Sequence, residues 1–186
     1  MSDGKAKKVS GERVLRGWLL SVDVDQVVEP GTETPARREV VRHPGAAAVL
    51  ACLPGNRVIL VRQYRYAPDK YFWEVPSGRL EDGEDPLEAA RRELAEETGY
   101  TAQDMTPLAS LHSSPGCSDE VIHLFQATRL SSGQSSPDPQ ERIEVREFNL
   151  TEALEMVSEG LITDSKTVCA ILLAARDICP VAGCQS

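Results

Sequence analysis

Three glutamates, Glu93, Glu96 and Glu97, crowd one short stretch, with Arg92 directly before them and Glu84 upstream. On a helix, at about 100° per residue, the three share one face covering roughly a quarter of the circumference. Each like-charge pair at i,i+4 costs about 0.2–0.5 kcal/mol unless something neutralises it. The plain reading is a solvated acidic face. The chemical one is a site for a hard divalent cation, since Mg2+ prefers carboxylate oxygens and leaves its other positions to water and phosphate. A cation there would polarise phosphoryl oxygens, offset their charge and lower the pKa of an attacking water.

The elements that must position these side chains are legible nearby. Asp85 suits an N-cap, Pro86 the first helical position, and Glu88 stands at capping-box spacing. Gly99 is placed to end the helix in a left-handed turn, giving a helix over 86–98. Leu87, Ala90 and Leu94 fall on a different face, which would pack on a sheet. Gly78 allows a sharp turn, and Ser77 beside it can offer a carbonyl oxygen to a cation. Arg92 suits an ion pair with Glu84 or another carboxylate that fixes loop to helix.

Gly78, Glu84, Arg92, Glu93, Leu94, Glu96, Glu97, Gly99 and Tyr100 fill every fixed position of G-x5-E-x7-R-E-L-x-E-E-x-G-Y. This window resembles the signature of the Nudix hydrolases. The resemblance implies a loop–helix–loop that holds metal against a diphosphate, within an α+β domain built as an α/β/α sandwich on a mixed sheet. It implies Mg2+ as cofactor, with Mn2+ as a substitute, and Ser77, Glu93, Glu96 and Glu97 as ligands, Glu96 serving a further ion. Pro115 lies in Ser113-Ser-Pro-Gly-Cys-Ser-Asp-Glu120, 16 positions beyond Gly99. That loop resembles the one marking the ADP-ribose pyrophosphatase branch, which also cleaves other nucleoside diphosphate sugars. Arg38–Gly45, Arg62–Tyr66, Trp73–Gly78 and Asp164-Ser-Lys-Thr167 are similar to that branch too. By this resemblance Glu120 is general base or extra metal ligand, with Asp119 its competitor, Glu74 lies near the terminal ribose, and the chain forms a homodimer whose N-terminal strands complete the partner's site.

Arg62 and Arg65 can meet phosphate with planar forks of donors. A strand alternates its faces, so only one of them faces a pocket, and Arg62 is preferred. Trp18 or a tyrosine is a candidate to stack on the base, with core packing the alternative for either. The nucleotide-sugar hydrolase is weighed against a Nudix hydrolase of GDP-mannose or a dinucleoside polyphosphate, and against a non-catalytic sensor, which an intact signature disfavours.

Around these residues, strands are expected over 14–24, 38–42, 46–53, 58–63, 71–75, 108–112, 121–127 and 144–149, and helices over 151–159 and 166–178. The hairpin between 46–53 and 58–63 turns at Pro54-Gly55-Asn56. Residues 130–141 read as a flexible loop. The division expected is an N-terminal antiparallel β extension over 1–44 that dimerises, a catalytic domain over 45–178 and a flexible tail over 179–186. A formal net charge of -9 over 186 residues argues against a nucleic-acid partner, because phosphate backbones are held by basic surfaces. No apolar run is long enough to span a bilayer and no signal core follows the basic N-terminus, so no membrane partner and a cytoplasmic location are expected. Five cysteines without a C-x-x-C pair argue against a disulfide framework or a structural zinc site. His43, His112 and His123 lack metal-ligand spacing.

Overall fold

The computed structural model describes residues 4–136 and 142–176. They form two compact units: one comprises the chain up to Gly45 with His112–Val121, the other Ala46–Leu111 with the chain from Ile122 onward.

The first unit is an antiparallel meander of β1 (Lys7–Arg16), β2 (Ser21–Val28) and β3 (Ala36–Arg42), in the order β1-β2-β3. Sequence alone suggests strand structure starting at Val14, but β1 begins at Lys7 and the chain turns over 17–20, where Gly17 N donates to Leu20 O at 2.9 Å. Polar residues fill β1 because all of it is exposed, so no apolar alternation announces it. Charge takes the place of an apolar core. Asp23 and Asp25 on β2 are 8% and 3% exposed. Lys8 lies 2.6 Å from Asp25, Arg13 grips Asp23 at 2.7 and 3.2 Å, and Arg42 reaches Asp23, Asp25 and Asp119 at 3.1, 3.2 and 3.1 Å. The 112–121 loop docks on β3 through Val41 N to Cys117 O and Asp119 N to Val41 O.

The second unit is a seven-stranded mixed sheet with helices on both faces, the three-layer α/β/α arrangement expected from sequence. The strands β4 (Ala46–Leu53), β5 (Arg57–Arg65), β8 (Tyr100–His112), β9 (Val121–Ser132) and β10 (Glu144–Asn149) run in the order β10-β5-β4-β9-β8, with β6 (Lys70–Glu74) paired to β5 and β7 (Ser77–Arg79) to β4. β4 and β9 pair in parallel; β4 is otherwise antiparallel to β5 and β7. Both faces of β4 are covered, which explains its unbroken apolar run. Ala47, Val49 and Ala51 face α1 (Pro86–Thr98) together with Ile59, Leu94 and Phe125. Ala48 and Leu50 face α2 (Leu150–Ser158) and α3 (Ser165–Ala175) together with Val75, Phe148 and Ile171. A side chain such as Leu94, 0% exposed, contributes about 1.5–3 kcal/mol by leaving water. Among the described residues no helix is long and apolar enough to cross a membrane.

α1 has the expected ends. Asp85 Oδ1 accepts from Leu87 N and Glu88 N at 2.9 and 3.4 Å, and Gly99 closes the helix at φ 76°. The capping box is only half formed, because Glu88 turns towards Arg91, 3.9 Å away. Within this unit the longest extensions beyond the expected ranges are in β8 and β9. β8 starts at Tyr100 and β9 continues to Ser132, so the loop expected from 130 begins later, and 137–141 lie outside the described residues. β8 is the edge strand, with one side in water and Pro107 within it, so its first half carries little apolar signal. The expected end of the last helix beyond 176, the 179–186 tail, Cys179 and Cys184 also lie outside them.

Two outcomes follow. A Cβ at Gly99 would meet the backbone of Ser135 at 2.8 Å and of Gln134 and Gly133 at 3.0 Å, in a left-handed conformation. Gly99→Ala therefore lowers stability in urea unfolding by at least about 1–2 kcal/mol, the left-handed penalty alone. The Asp23 carboxyl is held by Arg13 and then Arg42, against the effect of burial, at about 2 instead of 3.8. Its contribution is complete above 3.8 and is lost as pH falls through about 2. Melting monitored between those values should fall with pH, and Asp23→Asn should flatten that dependence.

Candidate active site

The second unit brings together Ser77, Glu93, Glu96 and Glu97. β7 pairs with β4 through Ala48↔Ser77 and Ala47↔Gly78, and Val49 N donates to Pro76 O at 2.9 Å, so the strand–turn is tied down beside the helix. Glu97 is 4% exposed, and its Oε2 accepts from Ser77 N at 2.9 Å. Burying a carboxylate is costly unless its oxygens are hydrogen-bonded, and a backbone N–H is a fixed donor for one. Glu93 lies against Gly78 so closely that a Cβ on the glycine would fall 2.0 Å from Oε1. The missing side chain is what makes room for that carboxylate. Glu96, one residue before the buried Glu97, is half-exposed.

Arg92 organises the carboxylates. Its Nε and Nη2 donate to Glu84 at 2.9 and 3.0 Å, Nη1 to Glu93 at 2.6 Å and to Glu96 at 3.2 Å, and Nη2 to Arg79 O at 3.2 Å. The pairing with Glu84 is the one expected from sequence. The guanidinium holds the Glu84 carboxyl below its usual range, and the carboxylates push the guanidinium's own pKa up. Among the described residues no three Asp, Glu, His or Cys side chains converge as they stand on one ion position. Arg92 Nη1 bonds both Glu93 and Glu96, and each carboxylate retains lone pairs beyond those bonds with which to meet a cation. The donor set fits a hard divalent ion: carboxylates, a backbone carbonyl at the turn and a glycine cradle, with no soft ligand.

A second cluster lies on the β5–β6 edge. Glu74, 2% exposed, receives a two-bond fork from Arg65 at 2.8 and 2.8 Å and Lys166 Nζ at 2.6 Å. Burial pushes the Glu74 carboxyl up, but Arg65 and Lys166 together hold it below its ordinary value. Arg62 lies on the other face of β5, its guanidinium 4.5 Å from the Tyr71 ring centre and 3.4 Å from Glu144. Arg65 is thus the arginine brought to Glu74. Sequence reasoning singled out the 164–167 stretch without giving it a role. A buried glutamate demands a cation, but nothing local shows that Lys166, 92 positions away, supplies it.

The remaining candidates belong to the first unit. Glu120 accepts from Ser113 Oγ at 2.5 Å and lies 3.4 Å from His43 Nδ1, which itself accepts from Gly45 N at 3.1 Å. Asp119 is occupied by His43 N at 2.9 Å and Arg42; burial raises its carboxyl, and these two partners bring it below the ordinary value. Trp18, between β1 and β2, is 83% exposed.

A mixed sheet flanked by helices, with a glutamate-bearing helix packed against a glycine turn, is the frame of one family, and the chain belongs to it: the NUDIX domain matches residues 41–168. Among individual proteins, the chain is 43% identical over 167 residues to a methanol dehydrogenase activator of Bacillus methanolicus, covering 89% of this chain and 90% of that one. It is 38% identical over 173 residues to an ADP-ribose pyrophosphatase of Bacillus subtilis, covering 92% and 93%. A GDP-mannose pyrophosphatase of Yersinia enterocolitica is 34% identical over 176 residues, covering 88% and 92%. The fold is similar to the crystal structure of an ADP compounds hydrolase, with a TM-score of 0.79 at 23% identity over 94% of this chain and 95% of that one.

Gly78→Ala tests the cradle. The added carbon meets the end of a flexible side chain, so thermal unfolding should change little, while the Glu93 carboxylate is displaced. Titration calorimetry with Mn2+ should show affinity reduced by about tenfold or more; unchanged affinity would remove Glu93 from the ligand set.

Proposed function

We propose that this chain is a divalent-metal-dependent hydrolase that cuts the diphosphate bond of ADP-ribose or a related nucleoside diphosphate sugar, releasing a nucleoside monophosphate and a sugar phosphate. The observation that carries the reading is the buried Glu97 held by the Ser77 amide, with Glu93 lodged against Gly78. Ser77, Glu93, Glu96 and Glu97 are the ligands we assign to Mg2+, or Mn2+ in its place. When bound, the ion polarises the phosphoryl oxygens and offsets the charge that substrate brings to an acidic protein.

The chain's own residues do the rest. Glu97 is held in orientation by the Ser77 N–H, and Glu93 is the second principal ligand. Glu120 takes the proton of the attacking water as the bond from phosphorus to the bridging oxygen breaks, and it is also a candidate for an extra ligand. Asp119 is the weaker candidate for base because Arg42 and the His43 amide already engage it. Arg65 and Glu74 serve the sugar–phosphate end, Arg62 on the opposite face of β5 is the alternative phosphate contact to Arg65, and Trp18 is a stacking surface for the base.

The division we adopt is an extension over 1–44, a catalytic domain over 45–178 and a tail over 179–186. We assign the extension to homodimerisation, supported by the exposed edge strand β1, where Val9, Val14 and Leu15 are 56%, 54% and 50% exposed. The partner is a small nucleotide in the cytoplasm, not nucleic acid.

GDP-mannose is the second substrate reading, favoured by the relatives whose names carry it. The test is a panel of ADP-ribose, GDP-mannose and a dinucleoside polyphosphate with Mg2+, products separated by chromatography. AMP with ribose 5-phosphate is the expected result, and Glu97→Gln should lower kcat by roughly a hundredfold or more, the equivalent of about 3 kcal/mol or more of lost charge stabilisation. Orthophosphate or pyrophosphate as main product would reject the reading.

A further inference from the structure

The 164–167 stretch has no part in the assignments above, yet it grips the turn that carries Ser77. Asp164 is the N-cap of α3. Its Oδ2 accepts from Thr167 N at 3.0 Å and from Thr167 Oγ1 at 2.6 Å, and its Oδ1 accepts from Lys166 Nζ at 2.9 Å. Thr167 is 0% exposed. Its one hydroxyl hydrogen goes to Asp164, so its oxygen is left to accept, and it accepts from Val75 N at 2.9 Å. Lys166 Nζ continues to Glu74 Oε2 at 2.6 Å. The cap therefore sends two arms to consecutive residues, one to the side chain of Glu74 and one to the backbone of Val75.

The next two residues are held from elsewhere, Pro76 O by Val49 N and Ser77 N by Glu97. Pro76 adds a fixed φ. Four residues in a row are thus clamped, and α3 supplies a clamp for each of the first two. Mg2+ demands near-ideal octahedral geometry at about 2.0–2.1 Å. A ligand set of this kind must be held to within about 0.5 Å by the groups behind it.

We propose that the Asp164–Lys166–Thr167 cap of α3 is a positioning device for the metal-holding turn, fixing the Ser77 backbone against Glu97 so that a divalent cation meets its ligands preset. None of the three touches the ion. The proposal rests on the metal site assigned above, but not on the identity of the substrate.

Thr167→Val keeps the shape of the side chain and removes both hydroxyl bonds; Thr167→Ser restores them. Mn2+ binding is measured by electron paramagnetic resonance on substrate-free, full-length protein, with circular dichroism melting as the fold control. Thr167→Val should weaken Mn2+ by about tenfold or more, the usual consequence of losing an outer-shell partner, and Thr167→Ser should bind within about twofold of the parent. Should Thr167→Val not fold, Lys166→Met, which keeps the aliphatic stem, supplies the reading, and weaker Mn2+ binding is again expected. Parental Mn2+ affinity in a folded Thr167→Val or, in its place, Lys166→Met protein overturns the positioning role alone. Absence of Mn2+ binding by the parent protein overturns the metal site and this proposal with it. If nucleotide-sugar hydrolysis fails while Mn2+ binding responds as described, the substrate assignment falls and the positioning role stands.

Discussion

One hydrogen bond joins the parts of the second unit that matter for chemistry: Ser77 N to the buried Glu97 carboxylate. An ionised group out of water costs several kcal/mol unless fixed dipoles replace its hydration. Here the replacement comes from the residue whose carbonyl is the expected cation ligand, so meeting the cost of burial and building the site are one event. The rest of α1 serves that contact. Its N-cap at Asp85, its stop at Gly99 and the Leu94 face against β4 set the rotation that turns Glu97 inward and leaves Glu96 half-exposed.

What the sequence revealed and what it concealed divide along distance in the chain. α1 was legible to the residue because its caps are local: Asp85, Pro86 and Gly99 each act within a turn of their own position. The ligand candidates were legible through their spacing. Their inequality was not, since the sequence puts Glu96 and Glu97 on the same face and only packing buries one of them. The convergence of the Glu74 cluster was hidden, because Lys166 and Arg65 reach it from α3 and β5. Strand alternation showed correctly that Arg62 and Arg65 point apart, and it took Glu74 to show where Arg65 goes. β8 was half-missed for the opposite reason: an edge strand with one wet side offers little apolar pattern to read.

The first unit shows the limit of reading charge as a sum. A net of -9 suggests only acidity. Folded, Asp23, Asp25 and Asp119 are interleaved with Lys8, Arg13 and Arg42, and Arg42 alone reaches three carboxylates. Its planar fork makes that possible; a lysine in its place would offer a single point of charge. The same geometry recurs at Arg92 in the second unit, again with three carboxylates around one guanidinium.

The last turn of α1 contains Glu96 and Glu97 and no basic residue. A helix backbone carries about half a negative charge at that end, and an acid placed there is disfavoured by about 0.3–1 kcal/mol. Judged alone, the segment has its polarity reversed: a helix shaped only for stability would finish on lysine or arginine. The macrodipole thus adds to the negative field at the proposed metal site, a field that a bound cation would relieve. Electrostatic frustration is thus concentrated within a single secondary-structure element.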